Sequence, residues 1–191
     1  VRLDPRSAEI AKPFVRGSDL RKWAVDCSGQ YLIFSTPDMS EEQVKSYPTV
    51  FNHLYRYRSK LRKRQDAIGE KWWALRPCDY YPMFSLPKIM FQEIATHQCF
   101  TLDIQGVLAN NKVLFLPGDD LSVLLYLLGI LNSKWAWRYL RTVCPMLRGA
   151  RSLQTLYVNR LPIPDASEAD RIAVAELAEK CLTVRGAQCE D

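Results

Sequence analysis

The sequence lacks the short motifs that usually mark a catalytic or metal-binding site. Its 191 residues contain no Gly-x-Gly, no Pro-Pro and no Cys-x-x-Cys, and only two histidines, His53 and His97. A Gly-rich turn brings a backbone close to a nucleotide cofactor, and closely spaced cysteines and histidines hold zinc. The sequence therefore predicts no cofactor-binding residue and no metal site.

Two further catalytic arrangements are missing. An adenine-specific methyltransferase holds its flipped base on an Asn/Asp-Pro-Pro-aromatic turn, which needs the absent Pro-Pro. A common type of metal-dependent nuclease uses an acid-x-Lys triplet, and Glu70-Lys71 and Glu179-Lys180 have the wrong spacing for it. A Ser-His or Cys-His pair assembles only in three dimensions and stays open. We predict that the chain is not an enzyme by itself.

Long apolar runs are missing as well. The segment Leu121–Leu131 is shorter than the roughly 20 residues that span a bilayer, so we predict a buried helix and no membrane contact. The chain shows no signal peptide, so we expect a cytoplasmic location and reduced cysteines. Because it begins with Val1, we expect a fragment of a longer protein.

The 48% hydrophobic content is sufficient for a folded core, and its pattern predicts an α+β fold. Short apolar runs between turn residues predict a small mixed or antiparallel sheet flanked by helices, with a C-terminal connector helix. Strands are predicted at Tyr31–Phe34 (buried), Lys88–Glu93, Phe100–Asp103 and Lys112–Leu116. Helices are predicted at Ser46–Arg64, Leu121–Asn132 (capped by Asp119 or Asp120), Ser133–Cys144 and Ser167–Val184.

Three segments are predicted to be less regular. Lys12–Trp23 should be a loop that opens into a short helix capped by Ser18 or Asp19, and Leu147–Thr155 should be a basic loop. Prolines should make Tyr157–Pro164 an extended connector. We divide the chain into a domain at 1–164 and a connector or docking helix with its tail at 165–191. The last helix should bury one side, formed by Val174, Leu177, Ala178, Cys181 and Val184.

Acidic residues are missing from the whole segment between Val44 and Gln65. Closely spaced like charges repel one another, and a phosphate backbone would relieve this repulsion by replacing condensed counterions. A helix face that is merely solvated is the alternative. The net charge of +5 is compatible with both. The basic residues of this segment after its apolar start are Arg56, Arg58, Lys60, Arg62, Lys63 and Arg64.

Further basic and polar residues lie in the predicted loops. Arginine can bond guanine with two hydrogen bonds, and glutamine can do the same with adenine. Trp72, Trp73, Tyr80 and Tyr81 are better explained as core residues than as base-stacking ones. The candidate DNA-binding residues are Arg16, Lys22, Arg58, Lys60, Arg62, Arg64, Lys71, Arg76, Arg148, Arg151 and Gln154.

Six segments, taken in order, resemble the TaqI-like C-terminal specificity domain. They are KPFVRGSDL (12–20), WWALRPCDYY (72–81), PKIMFQEI (87–94), NNKVLFLPG (110–118), LGILNSK (128–134) and YVNRLPIP (157–164). One departure is Ala150, which stands where members often have a second glycine after Arg148-Gly149.

The resemblance implies the target-recognition domain of an adenine-specific DNA methyltransferase or a type IIG restriction-modification enzyme. Such a domain reads double-stranded DNA beside a methyltransferase domain of the same polypeptide. S-adenosylmethionine, and Mg²⁺ where a nuclease is fused, would then bind to the rest of the parent enzyme. Two other functions stay open: a module that docks a partner subunit through its C-terminal helices, and an RNA-binding enzyme fragment.

Overall fold

The computed structural model describes residues 5–26, 29–67 and 69–185, so Cys27 and Cys189 lie outside the described residues. The chain forms two compact units. The first contains the chain up to Pro13 together with Tyr31–Tyr81, and the second contains Phe14–Gln30 together with the chain from Pro82 onward. The predicted α+β fold with small sheets and a C-terminal helix is confirmed. The predicted boundary at residue 164 stays a prediction.

The regular elements are short apart from three helices. The strands are β1 (Ala11–Val15), β2 (Leu20–Arg21), β3 (Ala24–Val25), β4 (Tyr31–Ile33), β5 (Lys88–Gln92), β6 (Ile94–Ala95), β7 (Thr101–Asp103), β8 (Leu108–Ala109), β9 (Val113–Pro117), β10 (Met146–Leu147) and β11 (Ala150–Ser152). The helices are α1 (Glu41–Lys45), α2 (Pro48–Tyr55), α3 (Arg58–Leu61), α4 (Leu121–Leu131), α5 (Lys134–Val143), α6 (Thr155–Val158) and α7 (Glu168–Arg185).

The first unit is built around two adjacent tryptophans. Trp72 and Trp73 are only 2% and 7% exposed, and Val44 of α1 belongs to the same apolar cluster, so their interpretation as core residues is confirmed. The same interpretation was wrong for Tyr80, which is 41% exposed, and Tyr81 is partly buried. Strand β4 pairs antiparallel with the start of β1. The prediction that this strand is buried was wrong, because none of its three residues is buried and Tyr31, the first of them, is 54% exposed.

The single helix predicted for Ser46–Arg64 is also wrong. Pro48 begins α2 as expected, but the helix ends at Tyr55 and a separate short helix, α3, begins at Arg58. Tyr57, between them, has φ −105° and ψ 7°, which is outside the helical region. The break falls between Arg56 and Lys60, a like-charged i,i+4 pair that one continuous helix would align with no acidic residue to offset it.

The second unit has a three-stranded antiparallel sheet with β5 at its centre, between β7 and β9. Ile89 pairs with Leu102 on one side and with Leu116 on the other. Residues 88–91 of β5 are all buried, as expected for a strand that is covered on both faces. All three predicted strands of this sheet are confirmed.

Shorter strand pairs surround this sheet. The end of β1 pairs parallel with β8, β2 forms a hairpin with β3, and β11 lies between β10 and β6. The prediction of a loop and helix for Lys12–Trp23 was therefore wrong. The Asp19 carboxylate accepts a hydrogen bond from the Arg16 backbone N–H at 2.7 Å and closes a 3-10 turn, Gly17–Asp19. Extended, fully buried Leu20 follows at once, so no α-helix can continue.

Helices α4 and α7 pack against each other in the second unit. Asp120 and Ser133 cap α4 and α5 as predicted, because their side-chain oxygens accept backbone N–H groups of the first turns. Gly129 allows a close approach, since a Cβ there would lie 2.6 Å from Val174 Cγ1. No helix in the described part of the chain combines the length and the apolar character needed to cross a bilayer.

Two expectations about buried faces needed correction. Helix α4 is not buried all round, because Leu121 and Val123 near its start are 43% and 49% exposed. On α7, Leu177 and Val184 of the predicted stripe are 61% and 83% exposed. Helix α7 rests instead on small side chains, above all Ala175 and Ala178, which let it lie close to α4.

Candidate nucleic-acid interface

Three arginines of the basic segment, Arg58, Arg62 and Arg64, contact other groups of the first unit. The Arg64 guanidinium donates to the backbone carbonyls of Leu61, Trp72 and Ala74 at 3.2, 3.3 and 2.6 Å. The Arg62 Nη2 lies 2.6 Å from the carboxylate of Glu70.

Arg58 uses its side chain for packing. Its guanidinium carbon lies 5.5 Å from the Tyr55 ring centre and 5.7 Å from that of Trp72, which are cation–π distances. Its Nε is buried without a hydrogen-bond partner among the described residues. Arg58 and Arg64 therefore support the aromatic core of this unit. Their predicted DNA contact stays a prediction.

Three other cations of the segment are exposed and unpaired. Arg56, Lys60 and Lys63 all point to solvent, and none forms an ion pair with a residue in the described ranges. We call these three residues the basic patch. Only Lys60 was among the predicted site residues. Arg56 and Lys63 could have been found from the sequence, because both lie in the segment that contains no acidic residue.

Lys71 and Arg76 follow on the irregular segment of the first unit. The Lys71 ammonium donates to the backbone carbonyl of Pro37 and is partly buried. Arg76 is exposed, and its backbone carbonyl accepts the hydroxyl of Tyr81 at 2.6 Å. Arg76 is the more accessible of the two, although its side chain also interacts with Tyr80, whereas Lys71 would first have to release a carbonyl.

In the second unit, strands β10 and β11 form a hairpin over residues 146–152, and α6 begins at Thr155, so the basic loop predicted for Leu147–Thr155 was wrong. Leu147 pairs with Ala150 across a two-residue turn, in which Arg148 and Gly149 have φ of 51° and 85°. Positive φ at both turn residues is the geometry that suits tight hairpins. Ala150 is already the first residue of β11, so a second glycine is not required there.

The tip of this hairpin is solvent-exposed and carries both charge and apolar surface. Arg148 is exposed, and Met146 and Leu147 beside it are 65% and 47% exposed. Arg151 is partly buried and donates to the backbone carbonyl of Cys144 at 3.1 Å, which ties the hairpin to the end of α5. Gln154 is exposed at the N-cap of α6.

The two remaining predicted site residues, Arg16 and Lys22, also belong to the second unit. Arg16 is exposed just before the 3-10 turn. Lys22 is partly buried with its ammonium 5.8 Å from the Trp23 ring centre. Burial lowers the pKa of Lys22, and the charge of Lys134 lowers it further. Lys22 is therefore less accessible to a phosphate than the exposed Arg16.

The described residues offer no group of three or more His, Cys, Asp or Glu side chains that could hold a metal ion. Burial raises the pKa of the Cys99 thiol to about 11, which makes it a poor nucleophile at neutral pH. The chemistry that the exposed groups offer is hydrogen bonding and charge pairing. Guanidinium and ammonium groups without intramolecular partners suit phosphates and the acceptor atoms of bases.

Comparison with known proteins gives a family match over most of the chain. The model of the TaqI-like C-terminal specificity domain matches residues 12–163. The type II methyltransferase M.MjaIV of Methanocaldococcus jannaschii is 21% identical over 146 residues, which cover 72% of this chain and 49% of that protein. The chain thus spans about half the length of this relative.

Two solved structures share the fold. The type IIL restriction-modification enzyme MmeI, solved in complex with DNA, matches with a TM-score of 0.63 at 15% identity, covering 95% of this chain and 24% of MmeI. The type IIG restriction endonuclease BpuSI matches with a TM-score of 0.55 at 13% identity, covering 93% of this chain and 22% of BpuSI. The resemblance that the six motifs indicated is confirmed.

Proposed function

We propose that this chain, which belongs to the TaqI-like C-terminal specificity domain family, recognises a target sequence in double-stranded DNA for a methyltransferase or restriction-modification enzyme. It would catalyse no reaction by itself. The observation that carries the proposal is the basic patch of Arg56, Lys60 and Lys63, whose charges have no partner among the described residues. The match to MmeI, an enzyme solved in complex with DNA, supports it.

The basic patch would bind the phosphate backbone. Arg56 follows α2, Lys60 lies on α3 and Lys63 follows α3, and no carboxylate in the described part of the chain pairs with any of them. Each phosphate contact releases condensed counterions, which makes binding favourable and dependent on salt. Such contacts fix the position of the protein on the duplex without reading its sequence.

The β10–β11 hairpin would read bases. A two-stranded ribbon fits the major groove, which is about 12 Å wide. Arg148 at the tip can bond guanine O6 and N7, and exposed Met146 and Leu147 can contact a thymine methyl group. Gln154, exposed a few residues further on, has the donor and acceptor that pair with adenine.

We further propose that the parent protein is an adenine-specific DNA methyltransferase whose catalytic domain lies in the same polypeptide. The length of the curated relative, a methyltransferase about twice as long as the matched part, supports this arrangement. S-adenosylmethionine would bind to that catalytic domain, because this chain has no Gly-rich turn to hold it. A fused nuclease would add a requirement for Mg²⁺ outside this chain.

Titration of the 191-residue chain with labelled duplex DNA at several salt concentrations tests the proposal. Log affinity should fall linearly with log salt, and Lys60→Ala or Lys63→Ala should each reduce the slope by about one unit. Lys45→Ala is the matched control, since Lys45 is exposed and already paired with Glu41 at 3.1 Å. It removes one positive charge and should leave the slope almost unchanged.

The opposite results would refute it. An affinity that does not depend on salt would show that the basic patch is only solvated. The same conclusion would follow if Lys45→Ala lowered the slope of log affinity against log salt as much as Lys60→Ala does. An equal-length duplex RNA serves as competitor. Its preferential binding would favour the RNA-binding alternative instead.

A further inference from the structure

A half-open apolar groove lies in the second unit, between α7, the first turns of α4 and the connector that precedes α7. Its volume is about 480 Å³. Leu125 and Ala175 are buried below it, whereas Val123, Ile163 and Ile172 around it are 49%, 43% and 52% exposed. Three half-exposed apolar side chains around one concave surface are unusual for a face that only meets water.

The groove has a fixed wall. The Tyr126 hydroxyl donates to the backbone carbonyl of Pro164 at 3.0 Å and holds the connector against α4. Arg171 of α7 donates to the carbonyl of Ala166 at 3.0 Å and pairs with Asp165 at 3.3 Å. The shape of the groove is therefore present before any partner arrives, which reduces the entropic cost of binding.

The charge around the groove is acidic, although the chain as a whole carries +5. Glu168, Glu176 and Glu179 line it, and none of them forms an ion pair within the described ranges. The positive charge of Arg171 is already matched by Asp165. An apolar surface with unpaired carboxylates repels phosphates and attracts apolar groups flanked by cations.

We propose that this groove docks an amphipathic helix of a protein partner, with apolar side chains on one face and lysines or arginines beside them. The apolar face would contact Val123, Ile163 and Ile172, and the cations would pair with the three glutamates. The lining positions on α7 run from Glu168 to Glu179, which is about 16 Å along a helix and matches about three turns of a partner helix. Helices commonly bind such grooves through anchors at i, i+3, i+4 and i+7. This docking does not depend on DNA binding.

Two synthetic peptides of about 14 residues test the proposal. Both carry leucines at i, i+3, i+4 and i+7, but one has lysines and the other glutamates at the flanking positions. In fluorescence anisotropy with the whole chain, the lysine peptide should bind at least about tenfold more tightly. Glu176→Lys combined with Glu179→Lys should reverse this preference, an outcome that misfolding cannot produce.

A second pair of variants distinguishes peptide binding in the groove from peptide binding elsewhere on α7. Ile172→Asn should weaken the lysine peptide by about tenfold, whereas Leu177→Asn should not. Leu177 is the matched control because it is 61% exposed on the same helix and does not line the groove. Equal binding of both peptides, or equal loss in both variants, would overturn the proposal.

Sedimentation velocity tests whether a second copy of this chain, and not a different protein, fills the groove. A chain that forms dimers which Ile172→Asn dissociates would show that a second copy fills the groove, and the proposal would be wrong. The affinity of Ile172→Asn for duplex DNA should equal that of the unmodified chain. A failure of DNA binding therefore stays distinguishable from a failure of docking.

Discussion

Lys88 and Asp103 form a buried ion pair at the centre of the second unit, and it gives a sharp prediction about stability. Their side chains are 0% and 3% exposed. Lys88 also donates to the Phe84 carbonyl at 2.6 Å. Asp103 accepts two further hydrogen bonds, from the backbone N–H groups of Gln105 and Val107 at 2.9 and 3.0 Å. The pair therefore joins β5, β7 and the turn that follows β7.

Lys88→Met should destabilise the protein strongly, because methionine fills the aliphatic part of the site but leaves the Asp103 carboxylate buried and without its counter-charge. Removing one partner of a buried pair costs about 3–5 kcal/mol. For a chain of this size, that corresponds to a drop in Tm of about 6–20 °C. Urea unfolding followed by far-UV circular dichroism measures the free energy of unfolding directly.

Two comparisons make the prediction refutable. Adding Asp103→Asn to Lys88→Met removes the uncompensated charge and keeps an oxygen for one of the two backbone N–H groups, which donate to different carboxylate oxygens of Asp103, so the double variant should recover part of the loss, about 1–3 kcal/mol. Lys112→Met breaks a pair with Glu93 at 2.8 Å in which the lysine is 56% exposed, and it should cost at most about 1 kcal/mol. A double variant no more stable than Lys88→Met, or equal losses in Lys88→Met and Lys112→Met, would contradict the reasoning.

Three other predictions concern single sites. Gly129→Ala should destabilise by about 1–2 kcal/mol in urea unfolding, since its Cβ would meet Val174 Cγ1 at 2.6 Å, and Val174→Ala should restore the loss. Gly149→Val should weaken binding to duplex DNA in anisotropy titrations and lower the Tm by about 2–12 °C, because φ of 85° costs a β-branched residue about 1–3 kcal/mol in this exposed turn. Burial raises the pKa of Cys99 from 9.0 to about 11, so the stability it contributes is complete below the first value and is lost as the pH rises through the second. Cys99→Ala should flatten this decline in unfolding curves recorded across that range.

Elements whose formation depends on local chemistry could be predicted from the sequence. The strands around Ile89, Leu102 and Leu116 are short apolar runs between turn residues, and the sheet contains all three. The caps at Asp120 and Ser133 depend on side chains that bond the next turn of the same helix. The positions of such elements follow from neighbours in the sequence, which is why pattern analysis finds them.

The sequence could not predict which cations of the basic segment bind other groups of the protein and which stay exposed. Its lack of acidic residues was visible, but the positions eight and ten residues after Arg64 supply the carbonyls that its guanidinium binds. Glu70, which pairs with Arg62, likewise lies beyond the segment. These contacts depend on how the irregular segment around Trp72 folds back, and no period or spacing encodes that path. Charge counting therefore identified a basic segment but overestimated how many of its cations are free of contacts within the described residues.

The hairpin at Arg148 escaped prediction because its turn has an unusual sequence. Tight hairpin turns with positive φ at both positions prefer Asn-Gly or Asp-Gly, and Arg148 adopts φ of 51° although it is not a residue that tolerates this region well. Asparagine at this position would form the same turn with less strain. The arginine instead places an exposed guanidinium at the tip, beside apolar Met146 and Leu147. An exposed guanidinium at the tip of a strained turn fits the base-reading role proposed for this hairpin.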